Sequence, residues 1–246
     1  MKQKKALIFL LVFSIFLASF ASAETVKILA ENDWAPWAQG DGTGIGNDVI
    51  RAAFKAVGID VQYEVVLYDR ALAMVEEGSA IACFNVPRQA DNESTFLWPA
   101  QKLYTVRSMF FALSSFTGTI RSAADLAGKR LGLTEGYGYG DAIEQNNAIL
   151  KDYSRTDEII TKKLLAGRVD FVILYERCAD IIIKNLDAVG KIKAVGVSDS
   201  ADIFLAFSKT NADSRKYLDL FNRGFQIIQS NGTYDAIMRE WEAKFK

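Results

Sequence analysis

The sequence has no histidine among its 246 residues, and it has only three prolines and two cysteines. A Ser-His-Asp triad, a His-ligated zinc site and a haem with an axial histidine all need an imidazole, so these sites are excluded. Basic tracts are also missing, and 29 basic side chains are balanced by 30 acidic ones. Because nucleic-acid binding uses clustered Lys and Arg, we expect no nucleic-acid partner, and we expect no metal or cofactor.

The N-terminal segment, residues 1–23, has the pattern of a secretory signal peptide. Residues 1–5 carry three lysines, residues 6–20 are mostly apolar, and Ala21-Ser22-Ala23 offers the small side chains that signal peptidase accepts. An uncleaved anchor helix is the alternative, but about 15 apolar residues are short for a membrane span. Cleavage after Ala23 would leave 223 residues with 26 basic and 30 acidic side chains, and therefore a net charge of −4.

Strands and helices alternate along the rest of the chain in two similar units. In the first unit, the patterns predict strands at residues 25–30, 59–66 and 80–84, and helices at 47–57 and 70–77 that end at Gly58 and Gly78. In the second unit, strands are predicted at residues 108–113, 130–134 and 171–174, and helices near 140–147 and at 156–166 and 176–186. This alternation is typical of parallel sheets with crossover helices.

The chain then returns to the first unit. Strands are predicted at residues 192–195 and 203–208, followed by two helices that Asn231-Gly232 separates. The first of these helices has an apolar stripe made of Leu218, Phe221, Phe225 and Ile228. Two apolar extended segments, near 109–114 and 195–203, join the units. We therefore expect two lobes hinged around a cleft, with residues 24–112 and 200–246 in lobe one and residues 113–199 in lobe two.

Six motifs, in their order along the chain, resemble those of the bacterial extracellular solute-binding protein family 3, the periplasmic receptors of polar amino-acid ABC transporters. They cover nearly all of the chain after residue 23 and are Asp33-Trp34-Ala35-Pro36-Trp37, Gly44-Ile45-Gly46-Asn47-Asp48-Val49-Ile50, Phe96-Leu97-Trp98-Pro99, Asp125-Leu126-Ala127-Gly128-Lys129-Arg130-Leu131-Gly132, Leu164-Leu165-Ala166-Gly167-Arg168-Val169-Asp170 and Gly232-Thr233-Tyr234.

The resemblance implies an α/β protein with the type II periplasmic-binding-protein fold, in which two doubly wound parallel-sheet lobes close over a central cleft. It implies a periplasmic monomer that captures a small polar solute, an amino acid or a related carboxylate, and delivers it to an ABC transporter permease in the inner membrane. Two alternatives remain. The family includes a cyclohexadienyl dehydratase, for which Glu135 or Glu176 would have to act as the acid, and the chain could be a stand-alone ligand sensor.

Aromatic side chains follow the first two predicted strands, at the edge where ligands collect in open parallel sheets. Trp34 and Trp37 would stand at the cleft, where an aromatic face can stack on a flat or cationic solute. The alternative is that both belong to the core of lobe one. Tyr68 and Arg70 follow the second strand and have a similar position, or form a solvated helix start.

Asn85 and Arg88 follow the third predicted strand. In amino-acid receptors of the family, a Ser or Thr here and an Arg a few residues later hold the ligand carboxylate, for which a guanidinium fork is suited. Arg88 is the nearest arginine, although it lies a few residues earlier than the family position, which falls near Asp91 or Asn92. We expect Asn85 and Arg88 to line the cleft.

In the second unit, the turn that contains Tyr137, Gly138 and Tyr139 follows a strand and begins a helix. Free backbone N–H groups at such a helix start attract an anion, and the family uses this turn for the ligand carboxylate. The two tyrosines are expected to form a wall of the cleft, or else to pack on the surface of the lobe.

The family usually places an aspartate after the next strand to hold the α-ammonium group of the ligand. The matching position is Tyr175, followed by Glu176. A neutral phenol cannot balance a buried ammonium group as a carboxylate can. Either Glu176 takes this role, or the ligand is not a standard α-amino acid. Glu176 could also be a first-turn acid that interacts with the helix dipole.

Overall fold

The computed structural model describes residues 24–90, 92–135 and 137–244, so the predicted signal peptide lies outside the described residues. The strands are β1 (Glu24–Glu31), β2 (Asp33–Trp34), β3 (Ala38–Gln39), β4 (Ile59–Val66), β5 (Ala82–Pro87), β6 (Phe96–Leu97), β7 (Tyr104–Leu113), β8 (Arg130–Thr134), β9 (Leu150–Ser154), β10 (Phe171–Tyr175) and β11 (Ile192–Ser208). The helices are α1 (Ile45–Lys55), α2 (Tyr68–Glu77), α3 (Asp141–Glu144), α4 (Asp157–Leu165), α5 (Glu176–Asn185), α6 (Ser214–Ser230) and α7 (Thr233–Lys244).

One continuous sheet runs through the molecule in the order β4-β1-β5-β11-β7-β10-β8-β9. Its two ends are parallel, because β1 pairs with β4 and β5 and β8 pairs with β9 and β10 in parallel register. Its middle is antiparallel, because β11 pairs with β5 and β7 and β10 pairs with β7. The sheet is therefore mixed, whereas the sequence pattern predicts parallel strands only.

Each end of the sheet is covered by helices and has its own core. Buried side chains of β1, α1, β5 and α6 form the core around the first end, which includes Val106 and Leu205. Buried side chains of β8, β10 and α4 form two clusters around the second end, which include Phe110 and Val195. We name these two ends lobe one and lobe two. The predicted apolar stripe of α6 is buried in lobe one, as expected.

The strands β7 and β11 pass from one lobe into the other as an antiparallel pair, in register from Ile203↔Tyr104 to Ile192↔Leu113. The sequence predicts two strands within residues 192–208, and this prediction is wrong because β11 is continuous. Ser198, Asp199 and Ser200 interrupt the apolar pattern. Asp199 and Ser200 nevertheless pair with Ser108 and Arg107 of β7, and Ser198 lies in a register shift between paired residues, so the strand continues through them.

Local signals position the helices of lobe two. Thr156 precedes α4, and its hydroxyl oxygen accepts a hydrogen bond from the backbone N–H of Ile159. Ser122 and Asp125 form a capping box around a short 3₁₀ helix, Ala123–Leu126. The helix predicted near residues 140–147 is shorter, since α3 covers Asp141–Glu144 only. In the described part of the chain, no helix combines the length and the apolar character that a membrane crossing requires.

Candidate binding cleft

The two lobes meet through two aromatic rings. Trp34 follows β1 in lobe one, and Tyr175 is the last residue of β10 in lobe two. Their ring centroids are 4.9 Å apart, with an interplanar angle of 76°, which is an edge-to-face contact. Only 7% of the Trp34 surface is exposed. Both residues predicted for the cleft therefore lie between the lobes, and the lobes are closed on each other.

The indole of Trp34 has an unsatisfied donor. Its Nε1–H is buried and has no hydrogen-bond acceptor among the described residues. A buried N–H without an acceptor costs about 1–3 kcal/mol, so this side chain gains free energy from any acceptor that enters the cleft.

Trp37 has both of its ring faces covered. Tyr104 stacks on it with a centroid distance of 4.2 Å, and the guanidinium carbon of Arg177 lies 5.9 Å from its ring centroid. The residue is 3% exposed and belongs to the core of lobe one. Trp37 consequently supports the cleft from behind Trp34, whose ring lies 6.0 Å away.

Asn85 joins a polar network at the carboxyl end of the lobe-one strands. Its amide N–H donates to a carboxylate oxygen of Glu31 over 3.1 Å, and its amide oxygen accepts a hydrogen bond from the hydroxyl of Tyr104. Asn85 is buried and has a left-handed backbone with φ of 69°. The sequence analysis missed Glu31, although this residue ends β1 at the same edge of the sheet.

Tyr68, the first residue of α2, is half-buried beside this network. Burial raises its pKa well above the usual value, and the neighbouring Cys83 and Glu31 act in the same direction. Its phenol is therefore neutral and available as a hydrogen-bond donor or acceptor at the base of the cleft.

Lobe two contributes three tyrosines. The ring centroid of Tyr137 lies 6.5 Å from that of Tyr139 and 6.1 Å from that of Tyr175. Burial first, and the carboxylate of Asp157 second, raise the pKa of Tyr137. Burial followed by Cys178 and Asp157 raises the pKa of Tyr175 to about 12. These phenols are neutral at physiological pH, and the three rings lie side by side as an aromatic wall.

The turn before α3 already binds a carboxylate of the chain itself. The backbone N–H of Tyr139 donates to a carboxylate oxygen of Glu144 over 2.7 Å, and the Tyr139 hydroxyl accepts from the backbone N–H of Thr134. Gly138 lies exposed beside them. The predicted anion-binding turn is thus partly satisfied internally, and the helix that follows it has only four residues, two of them acidic.

Arg88 has its partners outside the aromatic wall. Its guanidinium group forms a bidentate pair with Glu93, with Nε 2.7 Å from a carboxylate oxygen, and lies over the rings of Trp98 and Phe204. The hydrogen bonds to Glu93 raise the pKa of Arg88. Together these contacts hold the side chain at the surface.

Glu176, which the sequence analysis considers as a partner of a ligand ammonium group or of the helix dipole, is paired with Arg107. Its carboxylate accepts hydrogen bonds from Nη2 and Nε of Arg107, at 2.7 and 3.1 Å. The ion pair is about half exposed and lies on the groove between α5 and the crossing strands. The structure therefore brings Trp34, Tyr68, Asn85, Tyr137, Tyr139 and Tyr175 together and leaves Arg88 and Glu176 outside this group.

A small cavity remains beside the tyrosine wall. It measures about 20 Å³ and is lined by Ser108, Tyr137, Gly138, Tyr139, Ile173, Leu174, Tyr175, Ser198, Asp199 and Ala201. That volume holds roughly one water molecule. A solute of amino-acid size can therefore enter only if the lobes separate. Cys83 and Cys178 are both buried, and no cluster of described side chains has the composition of a metal site.

No family model matches the chain. The L-cystine-binding protein TcyJ of Escherichia coli is 26% identical over 227 residues, which cover 88% of this chain and 82% of that protein. This finding confirms the resemblance to solute-binding protein family 3 that the motifs predict.

Solved structures share the fold over most of the chain. An ancestral arginine-binding protein bound to arginine superposes with a TM-score of 0.73 at 19% identity, covering 88% of this chain and 97% of that one. A histidine kinase sensor domain with similarity to periplasmic binding proteins has a TM-score of 0.71 at 17% identity, covering 88% and 95%. The ancestral amino-acid-binding protein AncCDT-1, a precursor of cyclohexadienyl dehydratase, has a TM-score of 0.70 at 16% identity, covering 90% and 95%. The chain has the type II periplasmic-binding fold, as predicted.

Proposed function

We propose that this protein is a periplasmic receptor that captures a small polar solute between its two lobes and delivers it to an ABC transporter permease. The observation that carries the proposal is the contact between Trp34 and Tyr175, which closes the lobes over buried polar groups at the ends of both sets of strands. Ligands of open α/β sheets bind at this edge.

The relatives support a binding role. The Escherichia coli relative is a cystine-binding protein, and a solved neighbour holds arginine. The export signal predicted at residues 1–23 is consistent with a periplasmic location. A receptor role is also consistent with the chemistry of the cleft, whose neutral phenols, amide and buried indole N–H bind a solute without transferring a group to it.

We further propose that β7 and β11 form the hinge. Val106 packs in the core of lobe one and Phe110 in that of lobe two, so the crossing in β7 falls between them, somewhat before the boundary expected at residue 112. In β11 the crossing falls between Val195 and Ile203. Bending here opens the cleft without disturbing either core.

A thermal-shift screen of refolded, solute-free protein tests the binding role. A solute at 100 times its Kd stabilises the folded state by about 2.7 kcal/mol, which corresponds to a Tm increase of about 5–10 °C for a chain of this size. We expect the increase to disappear in Trp34→Ala. It should persist in the control Tyr153→Ala, which removes an exposed ring on the edge strand β9. If no small polar metabolite shifts the Tm, the proposal is wrong.

Deletion of the gene tests the transport role. Uptake of the solute that the screen identifies should be lost, then restored by the wild-type gene and not by the Trp34→Ala variant. Unchanged uptake would instead favour a stand-alone sensor, the role named for one of the structural neighbours.

Catalysis is the second candidate, since AncCDT-1 precedes a dehydratase. Glu176 is ion-paired with Arg107 rather than directed at the aromatic wall, which disfavours it as the acid. We expect no product from prephenate or arogenate. Turnover that survives purification and is lost in Glu135→Gln or Glu176→Gln would support the enzyme instead.

A further inference from the structure

We infer that the solute is an organic cation that this cleft recognises without a carboxylate: an amine or guanidinium compound with a neutral oxygen acceptor. The inference rests on the proposed function and names the substrate class of the same cleft. It is carried by carboxylates placed around the aromatic wall, by the unsatisfied indole N–H of Trp34, and by the occupied state of both predicted carboxylate-binding positions.

Carboxylates approach the wall from three parts of the fold. Glu31 ends β1 in lobe one and is oriented by the hydrogen bond from Asn85. Asp157 begins α4 in lobe two and accepts a hydrogen bond from the hydroxyl of Thr134. Asp199 lies in the crossing strand β11 and lines the cavity beside Tyr175. A cation between the closed lobes would therefore meet negative charge from both lobes and from the hinge.

The electrostatics of the tyrosines agree with this placement. After burial, the groups that raise the pKa of Tyr137 include Asp157 and Glu31. Asp157, Asp199 and Glu31 all contribute to the raised pKa of Tyr175. Four tyrosines thus experience the same negative field, since Glu31 also raises the pKa values of Tyr68 and Tyr104, after burial.

The aromatic rings supply the second element of cation recognition. The ring centroid of Tyr175 lies 4.9 Å from that of Trp34 and 6.1 Å from that of Tyr137. A desolvated cation over such a ring face gains about 2 kcal/mol. When the lobes separate, the edge-to-face contact of Trp34 with Tyr175 is released, and both rings become available to a ligand.

The Trp34 N–H is a second observation, because the ring contacts Tyr175 of the other lobe and its buried Nε1 lacks an acceptor among the described residues. A hydroxyl, ether or carboxamide oxygen on the ligand would satisfy it. Neutral donors such as this N–H and the tyrosine hydroxyls do not compensate a carboxylate for the repulsion of Glu31, Asp157 and Asp199.

The positions expected to bind a carboxylate are already paired. Glu144 accepts the backbone N–H of Tyr139, and Glu93 holds the guanidinium of Arg88. A ligand carboxylate at the turn would have to displace Glu144 and would lie close to Asp141, the other acid of α3. These two pairs engage the Tyr139 N–H and the Arg88 guanidinium, the donors that the sequence analysis assigns to an α-carboxylate.

Matched ligands that differ only at the carboxylate test the inference by calorimetry on refolded protein. The sets are L-arginine with L-argininamide, and L-cystine with its diamide; agmatine and cystamine are the matching amines that lack the oxygen acceptor. We expect the amide of at least one set to bind about tenfold or more tightly than the corresponding amino acid, with affinity that falls as salt is raised.

Substitutions of two acidic residues test which carboxylates of the cleft attract the cation. Glu31→Gln should weaken binding of that amide about tenfold or more, as should Asp199→Asn, which keeps the experiment informative if Glu31→Gln does not fold. The matched control is Glu64→Gln. Glu64 lies on β4, is partly exposed and forms an ion pair with Lys27, and its substitution should leave the affinity unchanged.

Two outcomes would overturn the inference in different ways. If the amino acids bind and their amides and amines do not, the cation class is wrong while the receptor function stands. If neither these compounds nor any solute in the thermal-shift screen binds, the receptor function fails and the inference fails with it.

Discussion

Asn85 unites two unusual properties in one residue. Its φ of 69° lies in the left-handed region, which Asn tolerates better than most side chains, and its buried amide connects Glu31 with Tyr104. The backbone conformation turns the amide toward the acid at the carboxyl end of the neighbouring strand. The residue therefore orients the charge of the cleft as well as contributing to stability.

Asn85→Ala is expected to lower the free energy of unfolding by about 2–4 kcal/mol, because two buried groups lose a partner and Ala is strained at this φ. Asn85→Gly should lose about 1 kcal/mol less, since Gly accepts the conformation. Asp187→Ala is the control: it has a φ of 49° at an exposed site and should lose only about 1 kcal/mol. Urea denaturation measures all three. An Asn85→Ala loss no larger than that of Asp187→Ala would contradict this assignment.

The residues of the cleft were predictable to different degrees. Trp34, Asn85 and Tyr175 follow strands in the sequence, and the rule that ligands collect at carboxyl ends finds them. The same rule applied to β1 would have found Glu31. The partners of Arg88 and Glu176 could not be found in this way. Arg107 is 69 residues from Glu176 in sequence, and the pair forms only through the tertiary fold.

Among the elements, α1 and α6 are in direct backbone contact. Gly224 of α6 faces α1 so closely that a Cβ atom there would lie 1.9 Å from the carbonyl oxygen of Ala53. Phe54, Phe221 and Phe225 surround this crossing and are almost fully buried. The missing side chain at residue 224 thus allows the two helices to approach and bury these rings.

Gly224→Ala should reduce the free energy of unfolding by about 1–3 kcal/mol, because the two helices must move apart in a packed core. Gly138→Ala is the control, since a Cβ atom there meets nothing within 4 Å and its φ is not left-handed. Thermal or chemical unfolding distinguishes the two. Equal stability of both variants would show that the helix crossing adapts without cost.

A second contact between the lobes joins helices α5 and α7. Arg177 of α5 forms an ion pair with Glu242 of α7 at 2.9 Å, and it also covers the face of Trp37. Both charged side chains are partly exposed, so the pair contributes no more than about 1 kcal/mol. Because one partner belongs to each lobe, that contribution is specific to the closed state.

Glu242→Gln should therefore weaken solute binding about two- to fivefold by lowering the population of the closed state. Glu240→Gln breaks an ion pair with Lys244 inside the same helix and should leave the affinity unchanged. Calorimetry with the solute from the thermal-shift screen compares them. Identical affinities for the two variants would exclude a role of the ion pair in closure.

The elements that sequence patterns missed have a common physical reason. Strand β9 contains Lys151 and Asp152 and has exposed apolar residues at Leu150 and Tyr153, so it lacks the usual apolar alternation. Its register with β8 over five residue pairs stabilises it instead. Patterns of hydrophobicity predict which residues are buried. Edge strands and crossing strands are instead stabilised by backbone pairing with segments distant in sequence, so these patterns do not predict them.

At the scale of the whole molecule, the two cysteines differ in how their burial depends on the contact between the lobes. Cys178 lies on α5 of lobe two, but its side chain is buried in the core cluster of lobe one. Cys83 is buried within lobe one itself, where burial raises its pKa and keeps it a thiol. Separation of the lobes would expose the first thiol and leave the second one covered.

In Cys83→Ala, the remaining Cys178 should react with a maleimide faster in solute-free protein than in the presence of saturating solute. In Cys178→Ala, the remaining Cys83 should stay unreactive in both conditions and react only after denaturation. The rates are measured by mass spectrometry. A Cys178 rate that does not depend on solute would mean that the lobes do not open and close with binding.

The paired strands β7 and β11 restrict how the lobes can move. The register of β11 with β7 shifts between Ala194 and Gly196 and again between Val197 and Asp199, where bulges bend the strand, while the pairs on both sides keep the strands in place. A ribbon of this kind bends about one axis more easily than it twists. If the lobes open by bending of this strand pair, one hinge angle describes the motion, and each closure returns Trp34 to Tyr175. A single distance between the lobes, followed by a pair of spectroscopic labels, would then describe the whole binding cycle.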